Sequence, residues 1–287
     1  MNLLDIAKGL STRPRTHAVL VYGAAKTGKT RFVGTAAKMA SIKRIFWFDG
    51  ENGAETLLSM GLTNEELAKV TLIQIPDTKE IPRFGDTLLK AFSLKNGAKV
   101  SICERHGAVA CAFCTSKNFP SVEFSLPTLT KEDLIVIDSG SQLGDSFMSK
   151  AVLGRDIDFK PTWDEYSLQG MWLSAVLSTV QAAEFTNFVM ITHSITVEVD
   201  EHGIKKDVTY PLVGTKAFST KVGKYFGHVV YLEIKQGKHV GGSSTTYKDN
   251  YMTGSRRNIA VESTKGGISI EQLLTDAGMV FTQDIAK

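Results

Sequence analysis

The chain has 287 residues, 43% of them hydrophobic and 22% charged, with a mean hydropathy of −0.04; these values fit a globular chain and exclude a disordered or collagen-like one. Lys and Arg number 33 against 30 Asp and Glu, a net charge of +3, so the chain is not a polycationic nucleic-acid coat and any basic site must be local. Residues 167–183 carry no charge but include three Ser, two Gln and a Thr, short of the roughly 18 apolar residues of a membrane span.

The N-terminus carries Asp5 and Lys8 inside its apolar part and does not read as a signal peptide, which points to the cytoplasm and to no membrane partner. No Pro/Ser/Gly-rich linker and no repeat divides the sequence. The expectation is therefore one α/β domain over residues 1–287, with an insertion at 93–130 and an edge hairpin at 235–267.

In chain order, the first strand pattern covers residues 17–22 and runs into Gly23-Ala24-Ala25-Lys26-Thr27-Gly28-Lys29-Thr30. This is a full G-x-x-x-x-G-K-[ST] phosphate loop in its strand-to-helix context. Its backbone N–H groups and the following helix N-terminus face an anion. Lys29 is assigned to the β- and γ-phosphates of ATP and Thr30 to Mg²⁺, with Arg31 completing the nucleotide-binding set. Helical spacing follows over residues 29–40, then a strand over 45–48 that closes on Asp49-Gly50-Glu51. Glu51 has the reach to position and polarise an attacking water, and Asp49 reads as a structural neighbour.

A third strand covers 71–75 and a helix pattern 80–92. Next comes Cys103-x-x-His106-x-x-x-x-Cys111-x-x-Cys114, which uses all three cysteines of the chain. Three thiolates and an imidazole at these spacings are a structural Zn²⁺ set, with a redox pair or plain thiols as alternatives. An odd count of three excludes a disulfide scaffold.

The strand at 134–137 ends in Asp138, the Walker-B candidate that would share Mg²⁺ with Thr30. After a helix pattern over 163–185, the strand at 188–192 ends in His193, which could donate to the γ-phosphate or be an ordinary satisfied histidine. Five lysines and one acid lie between 204 and 224, a local basic stretch that is either a phosphate-contacting surface or a solvated face. A sixth strand pattern covers 229–234, and Gly241-Gly242-Ser243-Ser244 reads as the turn of the edge hairpin.

The segments Phe46-Trp-Phe-Asp-Gly-Glu51, Ile73-Gln-Ile-Pro-Asp-Thr-Lys-Glu80, Ile135-Val-Ile-Asp-Ser139 and Met190-Ile-Thr-His193, taken with the phosphate loop, resemble the RecA-like recombination ATPases. Within these, the chain is similar to the short phage nucleotide-binding proteins of AAA type that act in single-strand annealing or recombination. The likeness runs in motif order over residues 17–265. It departs where the family's strand ends in Asn-Gln and this one in His193, in the reduced N-terminal oligomerisation element, and in the missing large C-terminal domain.

The resemblance implies a RecA-like core, a mostly parallel sheet flanked by helices, and a DNA-stimulated ATPase with Lys29, Glu51, Asp138 and His193 as its catalytic set. It implies mobile DNA-contacting loops at 147–163 and 195–214, hence Lys150, Arg155, Lys160, Trp163, Lys205, Lys206 and Lys216 as contact candidates, with Trp163 or Tyr210 able to stack on bases. Arg256, Arg257 and Lys265 are candidates to reach a neighbouring subunit's γ-phosphate.

The implied partners are single-stranded DNA, further copies of the chain in a ring or filament, and a single-strand-binding protein, in the host cytoplasm for a phage-encoded copy. The implied function is ATP-dependent annealing or strand exchange in phage DNA recombination. A replication or packaging motor, and an ATP-switched DNA-binding module with negligible turnover, are the alternatives. A small-molecule kinase is disfavoured by the lack of an Arg-rich lid.

Overall fold

A computed structural model describes residues 16–93, 99–156, 158–182, 186–201, 204–236, 238–242, 251–255 and 269–274. In order, the elements are β1 (Ala18–Tyr22), α1 (Lys29–Gly34), β2 (Arg44–Asp49), α2 (Asn64–Ala68), β3 (Val70–Gln74), α3 (Arg83–Ala91), β4 (Val100–Cys103), α4 (Ala112–Ser116), β5 (Ser121–Phe124), β6 (Asp133–Asp138), α5 (Gly140–Ala151), α6 (Trp163–Ala182), β7 (Asn187–Thr192), β8 (Ser194–Glu201), β9 (Ile204–Pro211), α7 (Lys216–Ser219), β10 (His228–Lys235), β11 (Lys238–Gly242), β12 (Gly254–Ser255) and α8 (Glu271–Leu274). No helix among the described residues is long and apolar enough to cross a membrane.

The main sheet has eight strands in the order β11-β10-β1-β7-β6-β2-β3, with β12 also on β10. From β10 to β3 every pairing is parallel. Side chains alternate across a strand, so a sheet covered on both faces needs apolar residues at consecutive positions. That is what β1, β2, β6 and β7 supply. Leu20, Phe46, Phe48, Ile135, Ile137, Phe188 and Met190 enter one layer with Phe84, Leu88, Phe147, Leu173 and Leu177 of α3, α5 and α6. Their neighbours Val19, Val21, Ile45, Trp47, Leu134, Val136, Val189 and Ile191 enter the other with Phe32 and Val33 of α1. The result is an α/β core, a mostly parallel sheet flanked by helices, in which β7 and β6 stand between the phosphate-loop strand and β2.

Three sequence expectations are corrected. The helix expected over 29–40 stops at Gly34 and continues as a 3-10 turn over Thr35–Lys38. The edge hairpin turns between Lys235 and Lys238, and Gly241 and Gly242 lie in its ladder opposite Leu232 and Tyr231. The glycine at 241 serves close packing, since a Cβ there would sit 2.2 Å from Leu232 Cδ2 and 2.9 Å from Tyr231 O.

The third correction concerns the expected mobile loops. Residues 194–201 and 204–211 are the two strands of an antiparallel ribbon, β8 on β9, paired from Ser194↔Pro211 to Glu201↔Ile204. Alternating Ile195, Val197 and Val199 on one face and Thr196, Glu198 and Asp200 on the other is a strand pattern. Likewise Phe147 lies inside α5 and Trp163 begins α6, leaving only the link between those helices as loop.

The 93–130 region contributes a second small sheet, β4 on β5, and sends Ile102 and Phe124 into the main core. Phe124 meets Phe46 and Phe48 edge-on, each with ring centroids 5.3 Å apart. Removing a buried aromatic leaves a cavity as well as lost transfer energy, so Phe124→Ala should cost about 3–5 kcal/mol. Urea unfolding checks this, and a loss below about 1 kcal/mol would mean that the hairpin does not share the core.

Candidate functional site

Parallel register brings the candidate residues to one edge. Asp49 pairs with Asp138, Asp138 with Ile191, and Tyr22 with Thr192, so Gly23, Asp49, Asp138 and His193 all stand at the carboxyl ends of adjacent strands. Ligands of open α/β sheets bind at that edge.

The phosphate loop leaves β1 at Gly23, where a Cβ would lie 2.1 Å from Leu232 O; no other residue fits that approach. Ala24, Ala25 and Lys26 form its exposed crest, and Arg31 is exposed on α1. Thr27 Oγ1 closes the loop onto Ala24 O at 2.9 Å. Lys29 is 7% exposed and its Nζ donates to the carbonyls of Gly23 and Ala24 at 3.0 and 2.8 Å. Burial lowers its pKa, opposed by the charges of Asp138 and Glu51.

Thr30 Oγ1 lies 3.2 Å from Asp138 Oδ2. A hydroxyl and a carboxylate so placed fit a Mg²⁺ ion held beside a bound nucleotide, with the loop's backbone as the phosphate cradle. Asp138 is 3% exposed. Its pKa is raised to about 7, first by burial and then by the charges of Asp49 and Glu51.

Asp49 takes a different part in this crowd of carboxylates. It is fully buried and accepts the N–H groups of Glu51, Gly53 and Ala54 at 3.1, 3.2 and 3.1 Å. Three backbone donors compensate its buried charge and fold residues 50–54 into the turn that presents Glu51.

The Glu51 carboxylate is held at both oxygens. Ser139 Oγ donates to Oε1, and Oε2 lies 3.2 Å from His193 Nε2. Burial alone would raise its pKa, but the bonds from His193 and Ser139, with the charges of His193 and Lys29, leave it lowered. Glu51 is thus a carboxylate at neutral pH, the form that accepts a proton from water.

Ser139 and Ser141 were not singled out from sequence. Ser139 Oγ also accepts Gln142 N at 3.1 Å as the N-cap of α5. The Ser139-x-x-Gln142 spacing after the strand was the available signal. Ser141 Oγ accepts His193 N at 2.9 Å, lies 2.8 Å from Thr192 Oγ1, and donates to Leu212 O at 2.9 Å. One hydroxyl therefore ties the end of β7 to the strand exit beyond β9. Gln142 Nε2 reaches Asp77 Oδ2 at 3.1 Å, and the pKa of nearby Asp145 is raised by burial and by Glu51 and Asp77.

The DNA-contact candidates fall on three parts of the fold: the segment from α5 to α6, the β8–β9 ribbon and α7. Lys150 pairs with Asp86 of α3. Arg155 stacks on Phe159 at 5.0 Å and lies 3.8 Å from Glu165. Lys160 and Lys216 are exposed, and Trp163 is 83% exposed. Lys205 Nζ is 2.9 Å from Glu198 across the ribbon, and Lys206 stands opposite Val199. Tyr210 is half-buried at the ribbon base, and Arg256, Arg257 and Lys265 lie outside the described residues. Cys103, His106, Cys111 and Cys114 come together on the β4–β5 insertion, their ligand atoms within 4.8 Å of one another.

A family model described as an AAA domain matches residues 15–258, and the chain belongs to that family. It is a P-loop ATPase domain. Solved structures similar in fold include a prototypical ATPase from the type III secretion system of pathogenic bacteria and the RadB recombinase. The first is 12% identical with a TM-score of 0.42, covering 76% of this chain, which spans 52% of that ATPase. RadB is 15% identical with a TM-score of 0.41, over 92% of this chain and 95% of RadB. No protein with a curated description matches in sequence.

The raised pKa of Asp138 makes a stability prediction. Folding favours its protonated form, so this group's penalty on the nucleotide-free protein is largest above pH 7 and falls away as the pH drops towards its unfolded value. Asp138→Asn should raise Tm at pH 8 by several degrees, with a smaller gain at pH 5, while Mg²⁺-dependent nucleotide binding is lost. Calorimetry at the two pH values checks this; an equal shift at both would sink the assignment.

Proposed function

We propose that this AAA-domain ATPase acts on single-stranded DNA, promoting annealing or strand exchange in DNA recombination of the phage type. The observation that supports this reading most is the contact between Glu51 and His193. The carboxylate that would position water is bonded to the last residue before the β8–β9 ribbon, and the backbone N–H of the same residue is held by Ser141.

When bound, Mg·ATP supplies the phosphoanhydride to be split and the cation that offsets its charge. The chain's own groups do the rest. Lys29 and the backbone of residues 23–30 bind and orient the phosphates, and Thr30 with Asp138 would hold the cation. Glu51 accepts a hydrogen bond from the water, turning its lone pair towards phosphorus, and takes its proton as the bond forms. Ser139 fixes one oxygen of Glu51, and His193 ties the other to the ribbon base. Each oxygen of the carboxylate keeps a lone pair for the water, and the donors from Ser139 and His193 set its direction, so turnover is coupled to the position of His193.

The DNA surface in this reading is the α5–α6 link together with the ribbon. Exposed Lys160 suits a phosphate and exposed Trp163 suits base stacking, which alone is worth about 1–3 kcal/mol per base. Of the ribbon's two lysines, Lys205 stands opposite Asp200 and bonds Glu198, whereas Lys206 stands opposite Val199, so the ribbon offsets part of its own positive charge.

ATP hydrolysis measured with and without single-stranded DNA across a salt series tests the proposal. Stimulation is expected at low salt, weakening as salt rises. Glu51→Gln should lower hydrolysis by about 10²–10⁴-fold with ATP binding retained, and His193→Ala should bring the ratio of stimulated to basal rate towards one. No stimulation of the wild type at low salt overturns the DNA reading. Annealing unaffected by Glu51→Gln, with negligible wild-type turnover, would favour an ATP-switched binding module.

A further inference from the structure

The insertion between α3 and β6 poses a problem of cohesion. Its two strands are four residues each, and a two-stranded hairpin of that size is marginal in water. It sends Ile102 and Phe124 into the main core, with Val109 packed against it, but residues 110–119 add little apolar burial, with Phe113 51% and Phe119 37% exposed. Something other than apolar burial must hold the loop.

The loop is built to converge four ligand atoms. Gly107 at φ 62° and Ala110 at φ 53° reverse the chain. Gly107 N donates to Cys103 O at 2.8 Å and Cys103 N to Ala108 O at 3.0 Å, setting His106 beside Cys103. Cys111 caps α4 and Cys114 lies in that helix. The His106 ring packs on Phe113 with centroids 5.8 Å apart.

His106 Nδ1 lies 3.5 Å from Cys111 Sγ and 3.3 Å from Cys114 Sγ. A tetrahedral ion with metal–sulfur bonds of about 2.3 Å and a metal–nitrogen bond of about 2.0–2.1 Å has a nitrogen–sulfur edge of about 3.5 Å. The observed separations match that edge. A disulfide would join two of the cysteines and give the third and the imidazole no reason to face the same point.

We propose that Cys103, His106, Cys111 and Cys114 bind one structural Zn²⁺ through three thiolates and Nδ1 of His106, and that this ion holds the insertion against β3 and α3. Binding exchanges three thiol protons for the ion, with no change of oxidation state. Four protein ligands close the coordination sphere, so the site has no position for catalysis. Three sulfurs and one nitrogen in a tetrahedron select zinc over the oxygen-seeking Mg²⁺ and Ca²⁺. The ion's ligand loop is seated on the core: Gly107 O accepts Thr87 Oγ1 of α3 at 2.6 Å, and a Cβ on Gly107 would meet Gln74 O at 2.6 Å. Loss of the ion would therefore loosen the end of β3 as well as the insertion.

The full-length protein purified without chelator should carry about one equivalent of zinc, with three sulfurs and one nitrogen in its X-ray absorption spectrum. Stripping the metal with a thiol-directed mercurial and a chelator, then reversing with excess thiol, should lower Tm by several degrees. It should also speed amide exchange in residues 99–125 and 72–77, and added Zn²⁺ should restore both. His106→Cys should keep the metal, since four cysteines are also a structural zinc set, whereas His106→Ala should weaken it. Less than about half an equivalent of metal, iron in place of zinc, a disulfide among the cysteines, or a Tm indifferent to stripping overturns the proposal.

Discussion

Parallel pairing sets the carboxyl ends of four adjacent strands at one level, and the chemistry of this chain hangs from that edge. The phosphate loop leaves β1 there, Asp49 ends β2, Asp138 ends β6, and His193 follows β7. None of these residues is near another in sequence: Thr30 and Asp138 are 108 positions apart and Glu51 and His193 are 142 apart. A shift of one residue in the register of β6 would turn Asp138 to the other face of the sheet and put an apolar side chain beside Thr30. The consecutive buried residues of β6 and β7 guard against such a shift only through packing shape, because both faces are covered. Caps and turns at the edge add to that guard: Gly50 N donates to Asp138 O at 2.6 Å and Ile75 N to Asp49 O at 2.9 Å.

Three carboxylates crowded beside a single lysine would repel one another, and the fold assigns each acid a different environment. Asp49 is compensated by three backbone N–H groups and stays structural. Asp138 is deeply buried beside the other two acids, which raises its pKa to about 7, and a bound cation would favour its charged form. Glu51, more exposed and bonded by Ser139 and His193, keeps its charge. Hydrogen-bond donors, not distance from one another, separate the three roles.

The parts of this site that were legible in the sequence are those written in contiguous residues. The phosphate loop is a local backbone shape with its own residue code, and buried strands ending in Asp138 or Asp49 announce themselves by four or more apolar residues in a row. The coupling residues were not legible, because Ser139 and Ser141 matter for what lies across the sheet, and two serines after a strand look like a helix cap. The surroundings of the lysines between 204 and 224 were not legible for a related reason. Counted along the chain they form a basic stretch, but only Lys205 and Lys206 lie on β9, which pairs with an acidic β8, and Lys205 bonds Glu198, while Lys216, Lys221 and Lys224 follow in α7 and the turn after it. Linear charge counting fails wherever a hairpin folds the opposite sign onto it.

The ribbon's attachment limits how it can move. At its root, Leu212 N bonds His193 O at 2.8 Å, while Ser141 joins His193 N, Thr192 and Leu212 O. One step out, Thr209 O receives both Tyr22 OH at 3.2 Å and Met252 N at 3.0 Å. Tyr251, the residue before that donor, stacks on Tyr231 of β10 with centroids 4.1 Å apart. The base is thus pinned to β1, β7, α5 and the segment that returns to β10. A load applied towards the ribbon tip acts on a lever about eight residues long, roughly 25 Å at 3.2–3.4 Å per residue. Its fulcrum is the hydroxyl cluster that also carries the His193 backbone. A displacement of that root would bear on the His193 to Glu51 contact, because one residue carries both the backbone N–H held by Ser141 and the imidazole 3.2 Å from Glu51.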